Sequence, residues 1–261
     1  MSANPRLAFY RDVMSLLVEN RFEFLVGGGY AFGWYTGLQR DTKDFDLMVR
    51  ASDVDLVLQI CRAAGYEAGY AFPHWIAKVR GPAGLVDIIF ASSNGLGEVD
   101  DDWFAGAPRA EILETPVRLV PPEEMIWQKA YVMERERFDG ADVAHLLLGC
   151  CERLSWEKLL LRFGPDWRVL LSHLILFGFI YPARRAVVPR DVLSDLISRF
   201  IKEEQAQLWT EPVCNGTLLS RIQYRYDLIA GGLKDARLTE RTRVSAEALN
   251  IWDNASIACP L

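Results

Sequence analysis

The sequence has little of what membrane, zinc or disulfide-bonded proteins are built from. Its longest apolar run, Val169 to Tyr181, is broken by Ser172 and His173 and stops at Pro182. A bilayer-crossing helix needs about 20 apolar residues, so the run reads as a buried helix and no membrane partner is expected. Met1 to Arg11 is polar, and Val13 to Val18 is too short for a signal peptide. The five cysteines (Cys61, Cys150, Cys151, Cys214, Cys259) are odd in number and lack C-x-x-C spacing. Both a disulfide framework and a cysteine zinc site are therefore disfavoured, and reduced thiols in a cytoplasm are expected. The three histidines show no short helical pairing, which argues against a histidine metal site. There is no basic tail, internal repeat or low-complexity segment.

What is present is ordinary globular material: 261 residues, 51% hydrophobic and 25% charged. Acid is spread unevenly within the net charge of −6. Residues 1–149 carry 14 Lys/Arg against 22 Asp/Glu, and residues 150–261 carry 15 against 13, so the first part is −8 and the second +2. Part of that excess is concentrated in Asp44-Phe45-Asp46-Leu47-Met48-Val49. Strand side chains alternate faces, so Asp44 and Asp46 share one side while Phe45, Leu47 and Val49 enter a core. Two neighbouring carboxylates on a strand repel each other unless a cation lies between them, and magnesium prefers such oxygen ligands. Upstream, Gly27-Gly28-Gly29 forms a turn whose backbone N–H groups can cradle phosphates. A third acid, Asp87, sits in the apolar run Leu85-Val86-Asp87-Ile88-Ile89-Phe90. Burying it unpaired is costly, so it needs a metal, an arginine or a surface-facing position.

Along the chain, Leu7 to Glu19 predicts a helix, Phe22 to Val26 a strand, Tyr30 to Tyr35 a helix start and Phe45 to Val49 a second strand. Ser52-Asp53 caps a helix that Gly65 stops. Trp75 to Val79 and Leu85 to Phe90 predict strands around a Gly81-to-Gly84 turn, and Val117 to Val120 a short further one. After Pro121-Pro122 the pattern is helical. The expectation is an α+β fold: a mixed-sheet core over 1–120 and an α-helical C-terminal extension over 121–261.

Phe24-Leu25-Val26-Gly27-Gly28-Gly29-Tyr30-Ala31, followed by Gly37, Arg40, Thr42 and Asp44-Phe45-Asp46-Leu47, resembles the polymerase-β-type nucleotidyltransferase superfamily. The likeness is to small prokaryotic members with a G-G-x-A…R-x-T-x-D-h-D core, which include antibiotic nucleotidyltransferases and AbiEii/MenT-like toxins. It runs over roughly residues 20–150 and includes Lys129 on a helix, followed by Arg135, Arg137, Asp139 and Asp142, with Phe138 where related chains have lysine. The resemblance implies a glycine turn (Gly28, Gly29) that binds triphosphate and a carboxylate pair (Asp44, Asp46) that holds magnesium, with two ions expected. It also implies a third carboxylate, matched by Asp87; Lys129, with Arg40 or Lys43, is expected to neutralise phosphate charge.

The implied activity is magnesium-dependent transfer of a nucleoside monophosphate from a nucleoside triphosphate, ATP among them, to an acceptor hydroxyl. RNA (tRNA in particular), a protein or a small molecule such as an antibiotic are the acceptor classes, and an antitoxin is a further expected partner if the chain is a toxin. The competing expectation is a catalytically inactive nucleotide-binding regulatory protein of the same fold.

Overall fold

The computed structural model describes residues 4–206 and 211–255; Cys259 lies outside them. The chain divides into two compact units. One takes in residues 4–34, 38–121 and 237–255, and the other residues 35–37, 122–206 and 211–236. Residues 237–255 thus belong with the unit that opens the chain, although sequence order places them after the helical stretch.

The first unit opens with α1 (Pro5–Glu19). Pro5 stands where a missing N–H does no harm, and the Asn4 side chain accepts the Arg6 N–H. Phe9, Tyr10, Val13, Met14 and Leu17 make its buried face. Next come β1 (Leu25–Val26), α2 (Gly28–Thr36), β2 (Asp44–Met48), α3 (Val54–Ala63), β3 (Glu67–Phe72), β4 (Ile76–Arg80) and β5 (Leu85–Ile89). After α4 (Asp101–Gly106), a small hairpin pairs β6 (Arg109–Ile112) with β7 (Thr115–Arg118).

The main sheet has five strands in the order β1-β2-β5-β4-β3. β2 and β5 run parallel and the other neighbours are antiparallel, so the sheet is mixed. This is the expected α+β core. The strand predicted at 22–26 shrinks to Leu25–Val26, and β3 is a strand that the sequence pattern did not announce.

Phe45 and Leu47 are fully buried. The Phe45 ring stacks on Tyr10 at 4.9 Å and takes the edge of Tyr30 at 4.9 Å. Core packing behind β2 therefore fixes which way its alternate residues, Asp44 and Asp46, must face. The β4–β5 turn is closed by the Gly81 N–H donating to the Gly84 carbonyl, and Gly81 lies against the Phe9 ring so closely that a Cβ would stand 2.5 Å from it.

The last described helix, Ala246–Asn254, returns to this sheet. Trp252 packs against Phe72 (4.4 Å between centroids) and Trp75 (5.3 Å). Ahead of it, the buried Arg237 makes paired bonds to Asp253 at 2.8 and 2.9 Å.

The second unit contains α5 (Pro122–Ala130), α6 (Gly140–Cys150), α7 (Trp156–Phe163), α8 (Trp167–Ile180), α9 (Arg190–Glu204), β8 (Val213–Cys214), α10 (Arg225–Ile229) and β9 (Lys234–Asp235). With Ala246–Asn254 as α11, the helical predominance expected after Pro122 is present, and β8 and β9 pair parallel within it. Glu123 accepts the Ser155 N–H at 2.6 Å, and Arg162 pairs with Glu124 at 2.6 Å. His173 donates to the Ala130 carbonyl at 2.9 Å, and burial lowers its pKa, which keeps the ring neutral. Helix α8 is not enclosed as the apolar run suggested: Leu170, Leu174 and Phe177 are buried, but Phe179 is 82% exposed and Ile175 60%. No helix among the described residues is long and apolar enough to cross a membrane.

Trp252→Ala removes the largest side chain that α11 presents to the sheet. It is expected to cost about 3 kcal/mol of stability, measured by urea denaturation of the full chain; a loss within error of zero would show that the return of 237–255 is peripheral.

Candidate active site

Strand alternation places three acids in one region of the first unit. Asp44 and Asp46 are half-buried between the fully buried Phe45 and Leu47. In the parallel β2–β5 ladder Asp46 is the register partner of Asp87. In the antiparallel β4–β5 ladder Asp87 is the partner of Lys78, and Lys78 in turn of Gly69 on β3. One row across four strands therefore reads Asp46, Asp87, Lys78, Gly69. At its far end Gly69 has open space where a Cβ would project.

The Asp87 carboxylate is 4% exposed and is held by the Lys78 ammonium, Nζ to Oδ1 at 2.8 Å. Burial raises its pKa; the Lys78 hydrogen bond and charge pull the other way, and the Asp44 charge adds to the rise. The partner that a buried Asp87 needs is thus a lysine from the neighbouring strand. Sequence reasoning named a metal, an arginine or solvent, and missed Lys78. The signal was available: Lys78 and Asp87 are equidistant from the middle of the Gly81–Gly84 turn, which makes them cross-strand partners in a hairpin.

The Gly27–Gly29 turn closes the other end of the row. The Gly27 N–H donates to the Asp46 carbonyl at 3.0 Å, which joins the turn to β2. Gly28 has φ +52°, and a Cβ built on it would lie 1.5 Å from Asp46 Oδ2. Only glycine permits both the backbone angle and the approach of that carboxylate. Gly29 is close to Thr42, where a Cβ would stand 3.3 Å from the Thr42 Cβ. Helix α2 starts at Gly28, so first-turn N–H groups without intrahelical acceptors lie beside Asp46. The Thr42 hydroxyl is 2.9 Å from Asp44 Oδ1 and 2.8 Å from the Asp44 carbonyl, and fixes the entry to β2.

The remaining candidates fall in two places. Arg40 and Lys43 are exposed on the loop before β2. The Arg40 guanidinium lies 4.3 Å over the Phe32 ring, and the Lys43 carbonyl accepts the Tyr10 hydroxyl at 3.3 Å. Lys129 belongs to the second unit, where its ammonium is 2.7 Å from Asp142 and 3.1 Å from Asp139. Burial alone would raise the Asp139 pKa, but pairing with Arg137 and Lys129 more than offsets this and lowers it. The structure therefore gathers Lys129 with the two aspartates of its own sequence element.

For a magnesium ion, the donor chemistry suits: oxygens only, on a rigid strand, with the Asp46 carboxylate packed against Gly28. The three acids do not form a closed cage, and among the described residues no group of three His, Cys, Asp or Glu side chains stands ready to hold a metal.

A mixed sheet entered through a glycine turn, with acids at alternate positions of β2 and a third on parallel β5, is the arrangement expected of a nucleotidyltransferase. The chain belongs to the family described as nucleotidyl transferase of unknown function (DUF2204), which it matches over residues 6–148. No curated protein matches it.

Among solved structures, the chain is similar to the antibiotic-resistance factor ANT(2'')-Ia, at 20% identity over 64% of this chain and 95% of that one, with a TM-score of 0.46. It is also similar to the lincosamide antibiotic adenylyltransferase LnuA, at 17% identity over 54% and 94%, with a TM-score of 0.38. An antigenic nucleotidyltransferase-like protein from Paracoccidioides brasiliensis shares 17% identity over 78% and 90%, with a TM-score of 0.34. At these TM-scores the likenesses add nothing to the family assignment, which rests on residues 6–148.

Gly28→Ala tests the geometry. The added methyl must displace the Asp46 carboxylate, and a misplacement of about 1 Å is expected to lower turnover about 100-fold. Circular dichroism should show the fold retained; turnover equal to wild type would separate Asp46 from the chemistry.

Proposed function

We propose that this nucleotidyltransferase is magnesium-dependent and transfers a nucleoside monophosphate from a nucleoside triphosphate, ATP being the first donor to test, to the hydroxyl of a cationic small molecule. The observation that carries the reading is the pairing of Asp44 and Asp46 on β2 with Gly28 packed against the Asp46 carboxylate. Asp44 and Asp46 would hold magnesium, which when bound offsets the phosphate charge that repels an incoming nucleophile. The backbone N–H groups of Gly28 and Gly29, at the start of α2, bind the outer phosphates. Arg40 and Lys43, on the loop that leads into β2, add positive charge at their edge.

In the reaction the acceptor oxygen forms a bond to the α-phosphorus, the bond from that phosphorus to the bridging oxygen of the β-phosphate breaks, and pyrophosphate departs. The acceptor's hydroxyl proton passes to a carboxylate, for which Asp87 is the third acid of the row. Its ionised form is supported by Lys78 against the effect of burial. Lys129, engaged by Asp139 and Asp142, is left out of this scheme. Charge supports the acceptor class: residues 1–149 carry −8, which favours a cationic acceptor over an RNA backbone that has no magnesium or glycine turn to receive it.

The test is incubation of wild type and Asp46→Ala with magnesium, each of the four labelled triphosphates, and either a panel of aminoglycosides and lincosamides or total RNA. Wild type should label a small molecule, and Asp46→Ala should lose on the order of 10²–10³-fold in rate. Labelling of RNA instead would move the acceptor to the toxin-type reading and make an antitoxin the partner to seek. Equal rates in the two proteins would overturn the site.

A further inference from the structure

Asp87 could be neutralised by an ion from solution or by a cation that the chain supplies, and the structure holds the second. Lys78 and Asp87 are register partners on β4 and β5, with 18% and 5% of their side chains exposed, and their charged atoms are 2.8 Å apart. A buried charge pair of this kind is expensive to break, because whichever partner is left loses solvation without compensation. A magnesium ion coordinates oxygen at about 2.0–2.1 Å. An ion bound to Asp87 Oδ1 would therefore be forced against the ammonium, charge against like charge. Asp46, the other register partner of Asp87, has β1 as its other ladder neighbour, and beyond Val26 the chain turns through the glycines.

We propose that Lys78 is a positioning residue that acts through Asp87. It occupies the third carboxylate in place of a second divalent ion, so that the site takes a single ion on Asp44 and Asp46. The inference rests on the magnesium reading above and narrows it. Asp87 stays with the acceptor hydroxyl and the metal with the β2 pair, and the fixed ammonium supplies the positive charge that a second ion would bring.

The experiment is Mn2+ binding to the full chain, without nucleotide, counted by electron paramagnetic resonance and isothermal titration. Wild type, Lys78→Arg, Lys78→Met, Asp46→Asn and the double variant Lys78→Met/Asp87→Asn are compared, with melting curves to establish folding. Wild type and Lys78→Arg should bind one ion with the same affinity. Lys78→Met frees Asp87 and should tighten binding about tenfold or admit a second ion. The double variant, which replaces a buried ion pair by two neutral side chains and does not depend on the single variant folding, should match wild type. A loss of about tenfold or more in the double variant would make Asp87 a metal ligand and overturn the proposal, as would two ions in wild type or unchanged binding in a folded Lys78→Met. Absence of Mn2+ binding in wild type would instead overturn the metal reading itself, and with it this inference.

Discussion

The arrangement depends on like charges being held where they would otherwise push apart. Side chains on neighbouring strands stand about 5 Å apart, close enough for like charges to repel. Asp46 and Asp87 are such neighbours, with Asp44 next along β2. The sheet sustains them with Lys78 on one side, the α2 N-terminus on the other, and a half-buried rather than buried setting for the β2 pair.

Rigidity comes from the opposite face. Tyr10, Tyr30 and Phe45 interlock with centroids 4.9–6.3 Å apart, so β2 cannot rotate its acids away without breaking aromatic packing. The turn works in the same direction. Gly27 is tied by its N–H to Asp46, and Gly28 accepts a backbone angle that other residues avoid. Local chemistry (a glycine at positive φ) and distant packing (α1 on β2) thus converge on one carboxylate.

Much of this was legible in the sequence, because it is written in short-range patterns. The alternation in 44–49 and the glycine turn need only the period of a strand and the chemistry of glycine. Asp87 stood out as an acid in an apolar run. Lys78 did not, since its meaning depends on which residues face each other across the β4–β5 ladder, a property of the turn rather than of the lysine. Strand β3 escaped because Glu67–Phe72 mixes alanine and glycine with aromatics and shows no clean alternation. Helix α8 misled for the reverse reason. It is apolar nearly all round, yet only one side is covered in its own unit, and hydrophobicity alone does not say which. The return of 237–255 left no local trace at all: Arg237 and Trp252 look like ordinary surface and helix residues until their partners are known.

That return has a consequence for how the molecule is made. A ribosome delivers the acids and glycines of the first unit early, but α11, which covers Phe72 and Trp75, emerges only after the whole helical stretch has been synthesised. During that interval the nascent sheet carries an uncovered aromatic patch. The interval lasts about ten seconds at typical elongation rates, and throughout it the growing chain is a natural client for chaperones.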